Sequence, residues 1–195
     1  MSYVANRTEG APGAPVLFTF HGTGGDEHQF HDLGRQFLPG ARVVSPRGDV
    51  SEHGALRYFR RTGEGVYDMA DLAARTKAMA AFVTAEKRDA PEAIGLGYSN
   101  GANILATTAM HDPALFDRLI LLHPLIPFTP DPAPGLAGTR ILVTAGERDP
   151  ICPAPLTQAL VDWLESQGAD VTAHWHPGGH EIARSELGAI GAFLA

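Results

Sequence analysis

Ile94-Gly95-Leu96-Gly97-Tyr98-Ser99-Asn100-Gly101-Ala102-Asn103-Ile104 passes from an apolar stretch of strand type, through a serine flanked by glycines, into a segment with helical spacing. Its centre, Gly97 to Gly101, has the form G-x-S-x-G. In a chain with 22 glycines the five-residue pattern alone is weak. Its position is what gives it weight. A serine presented on so tight a strand-to-helix turn sits in a strained backbone conformation, and its neighbours must be small enough to clear the adjoining strand and helix. Ser99 is therefore the candidate nucleophile, set against a bland serine in an ordinary connecting loop.

Outward from this stretch, short β-rich runs alternate with longer helical patterns. The strand candidates are Val16 to Phe20, Arg42 to Val44, Ile94 to Tyr98, Arg118 to Leu122, Ile141 to Ala145 and Val171 to Trp175. Helical spacing runs over Asp71 to Lys87, Asn100 to Met110, Pro155 to Gln167 and Glu181 to Leu194. Such alternation predicts an α/β fold with a mostly parallel central sheet and helices on both faces. Ligands of such sheets bind at the carboxyl ends of the strands, which singles out the loops after Phe20, Tyr98, Ala145 and Trp175. The proline-rich stretch from Pro124 to Pro134 fits neither a central strand nor a helix interior and is expected as a surface excursion near the site. No internal repeat is visible.

A serine hydroxyl is a poor nucleophile near neutral pH and needs a histidine base held by a carboxylate. For a serine on this kind of turn, the acid and then the histidine follow in the chain. His174 and His176 flank Trp175 on the final strand candidate, with His176 the main rival, whereas His180 follows Pro177-Gly178-Gly179 in the loop beyond it. His180 is the expected base. The acid should follow the strand Ile141 to Ala145, where the chain reads Gly146-Glu147-Arg148-Asp149-Pro150. Asp149 is chosen, with Glu147 the nearest competitor; Asp131 and Asp162 lie in the wrong elements. Upstream, Val16 to Phe20 leads into His21-Gly22-Thr23-Gly24-Gly25, a small-residue loop before a helix. Acyl transfer builds negative charge on a carbonyl oxygen, and the backbone amides of Thr23 and Asn100 are the expected donors to it. A phosphate loop is disfavoured because no Gly-Lys-Ser/Thr follows.

With 195 residues the chain is expected to form one domain over 1–195. It is 44% hydrophobic and 19% charged, with no apolar run long enough for a membrane helix. The net charge of −7 is spread without a basic stripe, so neither nucleic acid nor membrane is an expected partner. Met1 to Arg7 has no secretory character and Cys152 stands alone, which fits a cytoplasmic protein without disulfides. Cys152 itself reads as a small apolar filler.

The chain resembles the phospholipase/carboxylesterase family of the α/β-hydrolase superfamily, and within it the small bacterial carboxylesterases. Phe59-Arg60-Arg61 with Glu64-Gly65-Val66-Tyr67-Asp68, Gly97 to Asn103, Gly146 to Pro153 and His174 to His180 carry the likeness, which covers nearly the whole chain. The resemblance implies a single α/β-hydrolase domain without a large cap, acting as a cytoplasmic esterase on small-molecule esters with short acyl chains, often as a homodimer. It implies no metal and no organic cofactor. Thioester and lactone cleavage would use the same triad. Only Ser45 to Asp68 and Pro124 to Pro134 remain to shape a lid, and Arg60 and Arg61 could offer a fork to a substrate carboxylate, against a plain ion-pair role. Two remote alternatives are a metallohydrolase built on His174, His176, His180 and Asp149, and a catalytically silent binding protein.

Overall fold

The computed structural model describes residues 3–195. The elements are β1 (Ala5–Thr8), β2 (Val16–Phe20), α1 (His31–Phe37), β3 (Arg42–Pro46), β4 (Val50–Glu52), β5 (Ala55–Arg57), β6 (Arg61–Gly63), β7 (Val66–Tyr67), α2 (Met69–Lys87), β8 (Ala93–Tyr98), α3 (Asn100–His111), β9 (Arg118–Leu122), β10 (Arg140–Gly146), α4 (Ala154–Ser166), β11 (Asp170–His176) and α5 (Arg184–Leu194). Seven strands form one sheet in the order β1-β3-β2-β8-β9-β10-β11. All neighbours are parallel except β1, which pairs antiparallel with β3. The expected mostly parallel α/β architecture is the one found.

Alternation along each strand sorts the core into two layers. Val16, Phe18 and Phe20 of β2 face one side, with Leu105 of α3, Met79 of α2 and Leu160 of α4. Leu17, Ile94, Leu96 and Ile120 face the other, with Ile190 of α5 and Phe30 ahead of α1. Phe18, Phe20, Leu96 and Ile120 are wholly buried, each contributing roughly 1.5–3 kcal/mol of apolar transfer free energy. This is why those runs read as strands in the sequence.

The elements missing from the sequence reading have no such runs. β1 is Ala-Asn-Arg-Thr at a sheet edge, and β4 to β7 are hairpin arms of two or three residues. The hairpins β4–β5 and β6–β7 fold over the carboxyl ends of the strands, where Arg57 and Tyr67 border a cavity beside Ser99. The proline-rich stretch runs over the surface through Thr129, Asp131 and Pro132, as expected, but is anchored in the core on either side. Leu125, Ile126 and Ala133 are buried, because the prolines exclude regular structure but leave the apolar residues between them free to pack. α2 opens on Asp68, whose side chain accepts a hydrogen bond from Asp71 N–H at 3.0 Å. It carries both lysines of the chain, Lys77 and Lys87, and runs from the edge formed by the carboxyl ends of the strands to the opposite edge, where it leads into β8.

Candidate active site

Ser99 adopts φ 52° and ψ −118° at the junction of β8 and α3. That conformation is costly for a residue with a side chain and persists only because the surroundings hold it. The flanking glycines are compulsory. A Cβ on Gly101 would lie 2.4 Å from the carbonyl oxygens of Phe20 and His21, and one on Gly97 would lie 2.6 Å from that of Gly101. Ser99 N–H donates to Leu122 O at 2.8 Å, which locks the turn to β9.

His180 comes from the loop after β11, and its Nε2 lies 2.9 Å from Ser99 Oγ. Its Nδ1 lies 2.7 Å from Oδ2 of Asp149, in the loop after β10. Oδ1 of Asp149 accepts from Ile151 N–H (2.8 Å) and Cys152 N–H (2.9 Å). Burial alone would raise the pKa of this carboxyl. The Cys152 amide, His180, His123 and the Ile151 amide outweigh it and hold the group below the ordinary carboxylate range. An ionised Asp149 only accepts, so His180 carries its proton on Nδ1 and turns the Nε2 lone pair toward the serine hydroxyl. The hydroxyl of Tyr98 donates to the carbonyl of His180 at 2.7 Å, fixing the backbone of this loop against β8.

The amides of Thr23 and Asn100 have no hydrogen-bond partner among the described residues, and both residues border the cavity at Ser99. The Thr23 loop is tied down from several sides. Gly24 N–H donates to Leu56 O at 3.0 Å, Arg57 Nη1 donates to Thr23 Oγ1 at 2.9 Å, and His21 N–H donates to the Tyr58 hydroxyl at 3.1 Å. Buried His21 bridges the loop to the end of β3: its Nδ1 contacts Gly22 O and its Nε2 accepts from Gly48 N–H. Burial first of all pushes its pKa down, and this arrangement suits a neutral ring. The cavity is small, about 20 Å³, and its wall includes Arg57, Tyr67, Asn103, Leu125 and Cys152. Tyr67 Oη accepts from Asn103 Nδ2 and donates to Leu125 O.

The other candidates are placed elsewhere. Glu147 is exposed. His176 is buried with Nδ1 accepting from Gly178 N–H and Nε2 3.3 Å from Glu186, and His174 Nε2 lies 3.1 Å from Ser185 Oγ. The set His174, His176, His180 and Asp149 is thus not gathered around one point. Metal-capable donors instead converge as His123, Asp149 and His180 and as His123, His176 and Glu186. Of the two arginines, Arg60 is largely exposed and lies near Asp68 and Asp71 at 3.5 and 3.4 Å, outside the cavity wall. Arg61 does border the cavity, held by Glu52 (3.0 Å) and Glu64 (2.6 Å).

Three residues of the site escaped the sequence reading. Arg57 is the buried arginine beside Thr23, and its place follows from a hairpin too short to read. Glu186 looks like a surface residue of a helix and is wholly buried. His123 carried a usable signal: it follows the strand Arg118 to Leu122 directly, at the same carboxyl edge as the other loops.

A family model described as the dienelactone hydrolase family matches residues 53–187. The chain belongs to that family. It is 38% identical over 175 residues to a putative hydrolase of Bacillus subtilis (strain 168), MhqD, with 88% of each chain covered. Among solved structures it is similar to a Bacillus cereus carboxylesterase, at 34% identity and a TM-score of 0.92, covering 98% of this chain and 93% of the other. It is also similar to a protein of unknown function from Agrobacterium tumefaciens str. C58, at 53% identity and a TM-score of 0.93, covering 98% and 95%. The family and these likenesses make the chain an α/β-hydrolase that cleaves ester bonds, as its resemblance to carboxylesterases implied.

Proposed function

We propose that the chain, working as one domain, is a serine carboxylesterase for short-acyl esters, with Ser99 as nucleophile, His180 as base and Asp149 as orienting acid. What supports this is the continuous line from Ser99 Oγ through His180 to Asp149, at 2.9 and 2.7 Å, beside two amides without partners. In the reaction, Ser99 Oγ attacks the ester carbonyl carbon while its proton passes to His180 Nε2. The tetrahedral oxyanion accepts from the amides of Thr23 and Asn100. His180 returns the proton to the departing alkoxide, leaving an acyl-Ser99. Water, deprotonated by His180, then attacks that acyl group, and collapse releases the acid and restores Ser99.

A cavity of about 20 Å³ holds roughly one water, so small acyl groups are favoured. The substrate role expected of Arg60 and Arg61 narrows to Arg61. A carboxylate on the substrate would compete with Glu64 for its guanidinium, so Arg61→Met should lower kcat/KM for an anionic ester more than for a neutral one. An unchanged ratio leaves Arg61 an ion-pair residue only.

The deciding experiment is burst-phase release of p-nitrophenol from the acetate, butyrate and octanoate esters, by the natural protein and by Ser99→Ala. Activity is expected to favour acetate and to drop to the buffer rate in Ser99→Ala. Equal rates in both proteins would overturn the serine mechanism.

A further inference from the structure

Behind the Ser99 site lies a second, wholly buried group of ionisable side chains. His123 follows β9, has φ 50°, and shows no exposed surface. Its Nδ1 lies 2.9 Å from Asp149 Oδ2, the same oxygen that faces His180. Its Nε2 lies 3.1 Å from Glu186 Oε1 of α5, at ion-pair distance but not aligned as a hydrogen bond.

Counting protons decides the state of this ring. Asp149 is ionised and only accepts, so His123 must carry a proton on Nδ1. A neutral His123 would then aim the Nε2 lone pair at a carboxylate oxygen. Glu186 is held as a carboxylate by a donor on each oxygen: Oε1 accepts from Thr144 Oγ1 at 2.5 Å and Oε2 accepts from Ala183 N–H. Nor does His176 supply the missing charge, because its Nδ1 accepts from Gly178 N–H and only its Nε2–H is left for Glu186. The ring between the two carboxylates is the one that must hold two protons.

We propose that His123 stands between Asp149 and Glu186 as an imidazolium and is a positioning residue for Asp149, with Glu186 as its counter-charge. This rests on the assignment of Ser99, His180 and Asp149 made above. The four acceptor sites of Asp149 are then all filled: two by backbone amides, one by His180 and one by His123. The carboxylate cannot rotate, and His180 is aimed at Ser99 without a search. His123 adds one positive charge and Glu186 one negative, so the pair grips Asp149 without changing the net charge behind the base. Left-handed backbone at a histidine is uncommon, and the cost of holding it at His123 fits a residue kept for its placement. The electrostatics agree in direction. Burial alone would lower the pKa of His123, but Glu186 and Asp149 raise it above the ordinary value. Burial alone would raise that of Glu186, but His123, Thr144 and the Ala183 amide hold it low.

The ring is faced by Asp149 from the loop after β10, Glu186 from α5, His176 from β11, His180 from the next loop and Tyr98 from β8, while Cys152 Sγ donates to the His123 carbonyl. Burial pushes the Tyr98 hydroxyl up to about 12 and the Cys152 thiol higher still, so neither titrates before His123. As pH rises through the raised value of His123, its Nε2 lone pair turns on Glu186 and the grip on Asp149 loosens. The alkaline limb of kcat is therefore expected to belong to His123.

The test uses the full chain with 15N-labelled histidine. Over a pH titration one ring should keep protons on both nitrogens above the free imidazole value of about 6.5, and Glu186→Gln should abolish that signal. In ester hydrolysis, Glu186→Gln and His123→Gln should each lower kcat about ten- to a hundredfold with KM little changed, the scale of a misplaced catalytic group. His123→Gln should also lose the alkaline limb. If Ser99→Ala is inert but no ring keeps both protons and both variants match the natural kcat and pH profile, the role of His123 falls alone. An active Ser99→Ala overturns the assignment beneath it.

Discussion

Asp149 shows how one side chain serves two partners: a single oxygen holds both His180 and His123. Asp149→Asn keeps the shape but puts an amide where a carboxylate only accepted, so it disturbs both rings at once. Its kcat on p-nitrophenyl acetate should fall by about 10⁴, the scale for loss of the orienting acid in a serine triad. The elbow makes an equally local prediction. Gly101→Ala places a methyl group 2.4 Å from two carbonyl oxygens that cannot retreat, so it should cost about 1–3 kcal/mol or more in urea midpoint experiments and remove the burst. Ser99 and Asp149 stood out because each stands just past a strand with an unmistakable apolar run, and His180 because it follows Pro177-Gly178-Gly179 in the loop beyond the last strand. Glu186 was hidden because helix position does not reveal which turn lies under the sheet, and Arg57 because its strand is three residues long.

Among the elements, the β4–β5 hairpin and Tyr58 just beyond it act as a clamp on the Thr23 loop. The Tyr58 hydroxyl accepts from His21 N–H and donates to Pro46 O, joining β2 to β3 through one buried oxygen. Tyr58→Phe leaves those two backbone groups unpaired in the core and should destabilise the fold by about 1–3 kcal/mol, read as a lowered midpoint in urea. Because the same loop presents the Thr23 amide, kcat should fall as well. The six parallel strands were all found within about two residues of their ends: the five inner ones are buried on both faces and write a continuous apolar signature, and β11, largely exposed at the other edge, still carries the β-rich residues Val171, Thr172 and Trp175. β1 was not, because an edge strand with one packed side needs no such run. α5 begins at Arg184 rather than Glu181, the first turn being set by Glu186 reaching back to the Ala183 amide, a contact that periodicity does not encode.

Across the molecule, the buried cluster ties stability to pH from both sides. Asp149 and Glu186 have depressed folded-state values, so their contribution is present above the unfolded carboxylate range near 4 and is lost as pH falls through the depressed values. His123 has a raised value, so its contribution is complete below about 6.5 and is lost as pH rises through the folded value. All three contribute together between roughly pH 4.3 and 6.5. The gap in Tm between the natural protein and His123→Gln should therefore be widest in that window and narrow on the alkaline side; a gap independent of pH would refute the linkage.

The placement of the two lysines has a practical result for anyone handling the protein at a surface. Thirteen of the fifteen Lys and Arg residues are arginines, so amine-reactive linkers meet only Lys77, Lys87 and the terminal amine. Lys87 lies where α2 ends, near the carbonyls of Ala114 and Leu115, and exposed Lys77 lies on the same helix. A bead coupled through that helix would hold the protein by its flank and leave the carboxyl ends of the strands open to substrate.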